Sequence, residues 1–318
     1  MCSENAHRPA AGAVGAGDIT AGGGPAAVAV ARAWVQELRP HQWLKNCLVA
    51  VPLAAAHRLG IPGQLRHVIC AFVAFCLCAS GIYFLNDLLD AEVDREHPHK
   101  RHRPLAAGRL PRGLALASIP VLTLAGLALG ARVGGGFTVV LVLYLGTMTL
   151  YSLRLRSIVL LDALVLAGGY ALRVIGGGLA VHIRPSPRLL AFCIFLFFSL
   201  ALVKRYAELV VIRGNGPGTH ARGYLEQDGE FIMALGCASG ILAVLVLALY
   251  MDSANVERLY SRSGCIWATA VLLLYWVSHM WLMAHRGRMT DDPLVFAVRN
   301  PTSIALITLM GAAAWLAV

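Results

Sequence analysis

Asp87, Asp90 and Asp94 follow a long apolar run at spacings of three and then four residues. On a helix, residues three and four apart share a face, so these carboxylates project within about 60° of one another. Three like charges on one face repel unless a cation lies among them. Hard oxygen ligands with room left for water suit Mg²⁺, which is usually held by one or two carboxylates together with substrate phosphates. Asn86 adds a neutral oxygen beside the triplet. Arg95, Lys100, Arg101 and Arg103 follow and supply cations for phosphate oxygens. The stretch predicts a Mg²⁺–diphosphate site, with Asp87, Asp90 and Asp94 as catalytic metal ligands and Asn86 assisting. The other reading is an acidic helix end paired with its own downstream cations. Glu92 falls on the opposite face and Glu96 beyond the triplet, so both read as surface residues.

Three further clusters carry ionisable groups. In LVKRYAELVVIRG, Lys204 and Glu208 are four apart, with Arg205 and Tyr206 beside them. These residues form either an intrahelical ion pair or part of a mouth shared with the aspartates, adding cations for a phosphate. In LRPHQWLKN, Arg39, Trp43, Lys45 and Asn46 combine an interfacial aromatic anchor with cations at headgroup depth, and Lys45 is a candidate phosphate ligand. Asp162 and Arg173 lie inside an apolar stretch, eleven apart. Such residues line a cavity or pair with one another. Gly168, Gly169, Gly176, Gly177 and Gly178 suit close helix packing and follow no phosphate-loop spacing.

The elements that must position these groups are membrane helices. Of the 318 residues, 58% are hydrophobic and 14% charged, and the mean hydropathy is +0.67, which excludes an ordinary soluble globular domain. Nine apolar stretches recur: Trp43 to Ala56, Leu65 to Leu89, Leu114 to Ala131, Phe137 to Leu153, Ile158 to Val181, Leu189 to Ile212, Phe231 to Met251, Ile266 to Ala284 and Phe296 to Val318. The first is short and is interrupted by Pro52. Residues 1–32, rich in Ala and Gly, read as a disordered tail with no cleavable signal peptide, and 33–318 as the transmembrane domain. The eight cysteines include no CxxC pair, and most lie in apolar runs as packing residues.

With nine spans and the amino terminus inside, nineteen of the 27 Lys and Arg residues fall on the cytoplasmic side, seven on the other, and Arg173 within a span. Cations resist translocation, so the aspartates are expected to face the cytoplasm.

These stretches resemble the UbiA superfamily of membrane prenyltransferases. Asn86 to Asp94 reads NDLLDAEVD, similar to that family's NDxxDxxxD motif, at the family's place after the second span. RPHQWLKN (39–46), NDLLDAEVDREHPHKRHRPLAAG (86–108), KRYAEL (204–209) and DDPLVFAVRN before the last span resemble one branch, the decaprenyl-phosphate phosphoribosyltransferases. The second acidic motif of prenylating members, DxxxD after the sixth span, has no counterpart here; Glu226, Asp228 and Glu230 are two apart.

The resemblance implies an all-α, UbiA-like polytopic bundle of about nine spans in the cell membrane, around a cavity open to the cytoplasm. It implies Mg²⁺-dependent transfer of 5-phosphoribose from phosphoribosyl pyrophosphate to a polyprenyl phosphate, feeding arabinan precursors of the cell wall. Lys45, Lys204 and Arg205 are expected at the lipid phosphate or the sugar 5-phosphate, Arg101 and Arg103 at the diphosphate, and Glu208 as a positioning or second-metal residue. Tyr206, Asp162 and Arg173 complete the expected substrate-binding set. No nucleic-acid partner is expected; a homo-oligomer is allowed. The alternatives are a UbiA-type prenyltransferase joining a prenyl diphosphate to an aromatic or other acceptor, and a lipid-binding protein or transporter without chemistry.

Overall fold

Apolar runs separated by short polar punctuation fold into helices that satisfy their own backbone, as a bilayer demands. The computed structural model describes residues 24–96, 100–215, 223–252, 263–289 and 292–317. The helices are α1 (Gly24–Glu37), α2 (Val51–Ala55), α3 (Pro62–Glu96), α4 (Arg112–Val133), α5 (Gly135–Leu153), α6 (Leu161–Ala180), α7 (Pro187–Asn215), α8 (Gly229–Met251), α9 (Ser263–His285), α10 (Pro293–Arg299) and α11 (Pro301–Ala317). Seven of them, α3 to α9, are long and apolar enough to cross a bilayer. The chain is an integral membrane protein.

Two expected spans take a different form. The stretch Trp43 to Ala56 is not one α-helix but a 3₁₀ segment, Pro40–Ala50, running into the short α2. Pro40 opens the 3₁₀ segment and Pro52 lies in the first turn of α2, and the Asn46 side chain is drawn to Arg173 on α6 at 2.7 Å. A 3₁₀ rise of about 2.0 Å per residue makes residues 40–55 about 30 Å long, as deep as the hydrocarbon layer. The last expected span is broken at Pro301 into α10 and α11, which meet at 85°. Proline denies the helix a donor and pushes the preceding Asn300 into extended backbone, φ −80° and ψ 122°.

The expected tail also ends early. An Ala-rich run with high helix propensity makes 24–32 part of α1; residues 1–23 lie outside the described residues. Ala33 is buried, and Trp34 packs on Phe84 and donates its indole N–H to Ser118. This docks α1 on α3 and α4.

One apolar core joins α6, α7, α8 and α9 through Ala167, Phe197, Ile232 and Met280. A second joins the 3₁₀ segment, α3, α5 and α6 through Val49, Phe75, Leu141 and Ala180. Gly177 permits that second contact, since a Cβ there would overlap the Val49 carbonyl. Gly168 has open space around it and serves no such approach.

α3 positions the acids. At 1.5 Å per residue its 35 residues extend about 52 Å, well beyond the roughly 30 Å hydrocarbon layer. Its last turns therefore carry Asp87, Asp90 and Asp94 out to one end of the bundle, where ions can stay charged.

Candidate active site

A small open pocket lies at that end, lined by Arg39, Asn86, Asp87, Asp90, Arg103, Tyr151 and Arg156. Each aspartate of the triplet meets a guanidinium. Arg39 Nη2 and Arg103 Nη1 donate to Asp87, the latter at 3.1 Å; Arg103 Nη1 also donates to Asp94 at 2.6 Å; Arg156 Nη1 donates to Asp90 at 2.7 Å. Arg39 reaches Asp87 because its backbone is left-handed, φ 54° and ψ 58°, which reverses the chain between α1 and the 3₁₀ segment. The following Pro40 disfavours the ordinary helical alternative, and such strain persists only where surrounding contacts hold it. The Arg39 guanidinium also stacks on Tyr83.

Beneath this cluster Glu37 is buried beside Asp87. Burial first, then the hydrogen bond to Asp87 and that carboxylate's charge, push the Glu37 carboxyl up to about 9. A proton keeps it neutral beside a charged aspartate.

A second cation cluster forms where the 3₁₀ segment, α7 and the start of α10 meet. Lys45 Nζ donates to Asp292 Oδ2 at 2.8 Å, and Lys204 Nζ lies 3.5 Å from the same oxygen. Asp292 Oδ1 caps α10 by accepting from Leu294 N at 3.2 Å. Burial would raise the Asp292 carboxyl, but Lys45 and Lys204 outweigh it and hold the group at about 2.

Several expected site residues turn inward instead. Lys204 does not form its ion pair with Glu208; that carboxylate accepts from Arg205 Nη1 at 2.7 Å. Arg205 itself is buried, donating through Nε to Asp162 at 2.6 Å and through Nη2 to Tyr151 at 3.3 Å. The Tyr224 hydroxyl also donates to Asp162 and accepts from Leu160 N. Arg205 and Asp162 therefore lock α7 to α6 and the 223–225 turn, and the expected use of Arg205 for a substrate phosphate gives way to this latch.

Arg173 does not pair with Asp162. It donates to the Asn46 side chain at 2.7 Å, to Gly169 O at 2.8 Å and to Tyr144 at 2.9 Å, with Phe75, Tyr144 and Tyr170 around its guanidinium. It braces the 3₁₀ segment next to Lys45. Tyr206 is buried against Trp281, its hydroxyl 2.9 Å from His285 Nδ1, and lines no part of the pocket. Arg101 is exposed on the turn Lys100–His102, outside the lining. Glu92 is a surface residue paired with Arg112 at 3.3 Å.

The model of the UbiA prenyltransferase family matches residues 46–214, just over half the chain. The chain belongs to the UbiA prenyltransferase family. The nodulation protein NoeC of Azorhizobium caulinodans is 34% identical over 279 residues, covering 86% of this chain and 89% of its own. A decaprenyl-phosphate phosphoribosyltransferase of Mycolicibacterium smegmatis is 30% identical over 274 residues, covering 84% and 86%. The uncharacterised protein y4nM of Sinorhizobium fredii is 33% identical over 272 residues, but this chain spans only 53% of its length. Among solved structures, a UbiA homolog from Archaeoglobus fulgidus bound to GPP and Mg²⁺ superposes with a TM-score of 0.65 at 16% identity, over 90% of this chain and all of that one. At that identity the likeness concerns the UbiA fold alone.

The UbiA fold brings a metal question with it. Among the described residues, no three His, Cys, Asp or Glu side chains converge on one point, so the expected cage of three carboxylates does not form. Asp94 lies two turns beyond Asp87 and shares its arginine, while Asp90 leans to Arg156. Asp87, Asp90 and Asn86 remain in the pocket lining. The Asn86 side-chain oxygen is buried with no hydrogen-bond partner, an orphaned acceptor that suits a hard cation. Two carboxylates and an amide oxygen, completed by substrate oxygens, fit Mg²⁺.

Arg39, Arg156, Tyr151, Glu37 and Asp292 join these clusters without having been singled out as site residues from sequence. Arg39 and Asp292 stand in stretches already noted for their likeness to the family branch. Arg156 and Tyr151 sit in YSLRLR, whose density of cations after an apolar run is the available signal.

Proposed function

We propose that this UbiA-family enzyme transfers 5-phosphoribose from phosphoribosyl pyrophosphate to the phosphate of a polyprenyl phosphate, releasing pyrophosphate. The observation that carries the reading is the presence of two separate cation clusters, Arg39, Arg103 and Arg156 on the aspartates and Lys45 with Lys204 on Asp292. A diphosphate occupies the first, and a phosphate monoester, which no prenyl diphosphate carries, needs the second. The mycobacterial phosphoribosyltransferase among the relatives supports the same choice. So do the acids after α7: Glu226, Asp228 and Glu230 stand two apart without a DxxxD spacing, and Asp228 accepts from Leu225 N.

Asp87, Asp90 and Asn86 would hold Mg²⁺, which when bound neutralises charge on the leaving diphosphate as a Lewis acid. Arg39, Arg103 and Arg156 turn from the carboxylates to the diphosphate oxygens, where their forked donors match two oxygens at once. A lipid phosphate oxygen forms the new bond to C1 as the C1–O bond to diphosphate breaks. That nucleophile is already anionic, so no strong base is required, and a neutral Glu37 beside Asp87 adds no charge to the site. The polyprenyl tail lies between spans with its phosphate at headgroup depth, and the pocket faces the cytoplasm, in keeping with the bias of Lys and Arg to that side.

The fold neighbour bound to GPP keeps prenyl transfer as the second reading. Mass spectrometry of products from purified protein separates the two, with phosphoribosyl pyrophosphate and decaprenyl phosphate in one reaction and geranylgeranyl diphosphate with an acceptor panel in another. Decaprenylphosphoryl 5-phosphoribose and pyrophosphate from the first are expected. Prenylated product from the second, with none from the first, would overturn the assignment.

A further inference from the structure

At the Lys45–Asp292–Lys204 cluster two ammonium groups from separate elements, the 3₁₀ segment and α7, converge on one carboxylate oxygen. The side chains are partly open, 14% exposed for Lys45, 13% for Asp292 and 35% for Lys204, so an anion from outside can reach them. The other carboxylate oxygen is committed to Leu294 N, so only Oδ2 serves the two lysines. Two ammonium groups that share one carboxylate oxygen in a partly desolvated mouth repel each other, and an anion with more oxygens and higher charge relieves that repulsion.

We infer that the Asp292 carboxylate sits in the seat of a phosphate monoester, which displaces it from Lys45 and Lys204 when substrate binds. This rests on the phosphoribosyl-transfer reading and deepens it. A monoester carries about −1.5 to −2 charge near pH 7 and three strong acceptor oxygens, so it can serve both lysines, where the carboxylate brings −1 and a single free oxygen. Asp292 then acts as a resident competitor: it keeps two neighbouring lysines from repelling each other in the empty site and sets the affinity for the incoming phosphate. The Arg205–Asp162 pair has the same chemistry but is sealed, and no phosphate can reach it. The monoester has two sources, the lipid acceptor and the 5-phosphate of the sugar donor.

Asp292→Asn and Asp292→Ser delete the charge while keeping a good acceptor for Leu294 N, so both should retain the cap of α10. Wild type and both variants, purified in nanodiscs with Mg²⁺, are titrated with farnesyl phosphate and with phosphoribosyl pyrophosphate. The exchange predicts that both variants bind at least one of these about tenfold more tightly, a change of about 1.4 kcal/mol, and that Lys45→Met binds the same ligand more weakly. Tightening for farnesyl phosphate assigns the seat to the acceptor, and tightening for phosphoribosyl pyrophosphate assigns it to the donor. Unchanged or weaker binding of both ligands by both variants overturns the exchange and leaves Asp292 as a residue that positions the lysines. If wild type binds neither ligand, the transfer reading itself fails, and the same comparison with inorganic phosphate decides the exchange by the same sign.

Discussion

Arg205 and Arg156 each end on an aspartate oxygen, at 2.6 and 2.7 Å, yet the Arg205 side chain is 1% exposed and that of Arg156 31%. Asp162, the partner of Arg205, is fully buried, and the guanidinium is further held by Glu208 and Tyr151. Asp90, the partner of Arg156, lines an open pocket. The same pair of functional groups therefore does two jobs. In the sealed latch, separating the ions strands a charge in low dielectric, so the pair is structural. At the pocket, water and phosphate oxygens can replace the carboxylate, so the pair can be exchanged. Tyr151 touches both, lining the pocket while its hydroxyl accepts from Arg205.

The largest effect that could break this contrast is on stability. Arg205→Met leaves the buried Asp162 carboxylate without its cation and should destabilise the protein by about 3–5 kcal/mol, read by thermal unfolding in detergent. A stable Arg205→Met would mean that the latch is no more structural than the pocket. Next is activity. Asp87→Asn keeps side-chain shape but removes a charge from the pocket, and turnover should fall by more than the roughly 100-fold that marks the loss of a residue behind the metal ligands. Its melting temperature should fall less than that of Arg205→Met, because Arg39 and Arg103 can rehydrate.

The last effect concerns pH. Glu37 is held neutral when folded, with its carboxyl at about 9 against an ordinary 4.5. Between those values the folded state binds a proton that the unfolded chain lacks, so the contribution of Glu37 to stability is greatest below 4.5 and is lost as pH rises toward 9. Glu37→Gln, titrated by thermal unfolding across that window, should show a shallower loss of stability than wild type. An identical slope would show that Glu37 is not buried in its neutral form.

Much of this arrangement was legible in the sequence, and the misses share a cause. Spacing alone placed Asp87, Asp90 and Asp94 on one face at a helix end, because helical periodicity is a local property. It could not show that Asp94 and Asp87 share Arg103, or that Arg39 and Arg156 arrive from 48 and 66 residues away, since those meetings are made by packing. Lys204 and Arg205 read as one basic pair because they are adjacent. Successive residues point about 100° apart around a helix, so one reaches the mouth and the other the core. Hydropathy counted Trp43 to Ala56 as a span but carries no information about helix type. The 3₁₀ form depends on Arg173 drawing in Asn46 and on Gly177 admitting the Val49 carbonyl.

The central claim is that the arginines on the aspartates are the ones that exchange onto the diphosphate of the donor. Calorimetric titration of phosphoribosyl pyrophosphate with Mg²⁺ into wild type and Arg156→Met tests it most directly. A loss of about 1.5–3 kcal/mol in binding is expected, the size of one hydrogen bond to a charged group, with the melting temperature nearly unchanged. Wild-type affinity in Arg156→Met would contradict it.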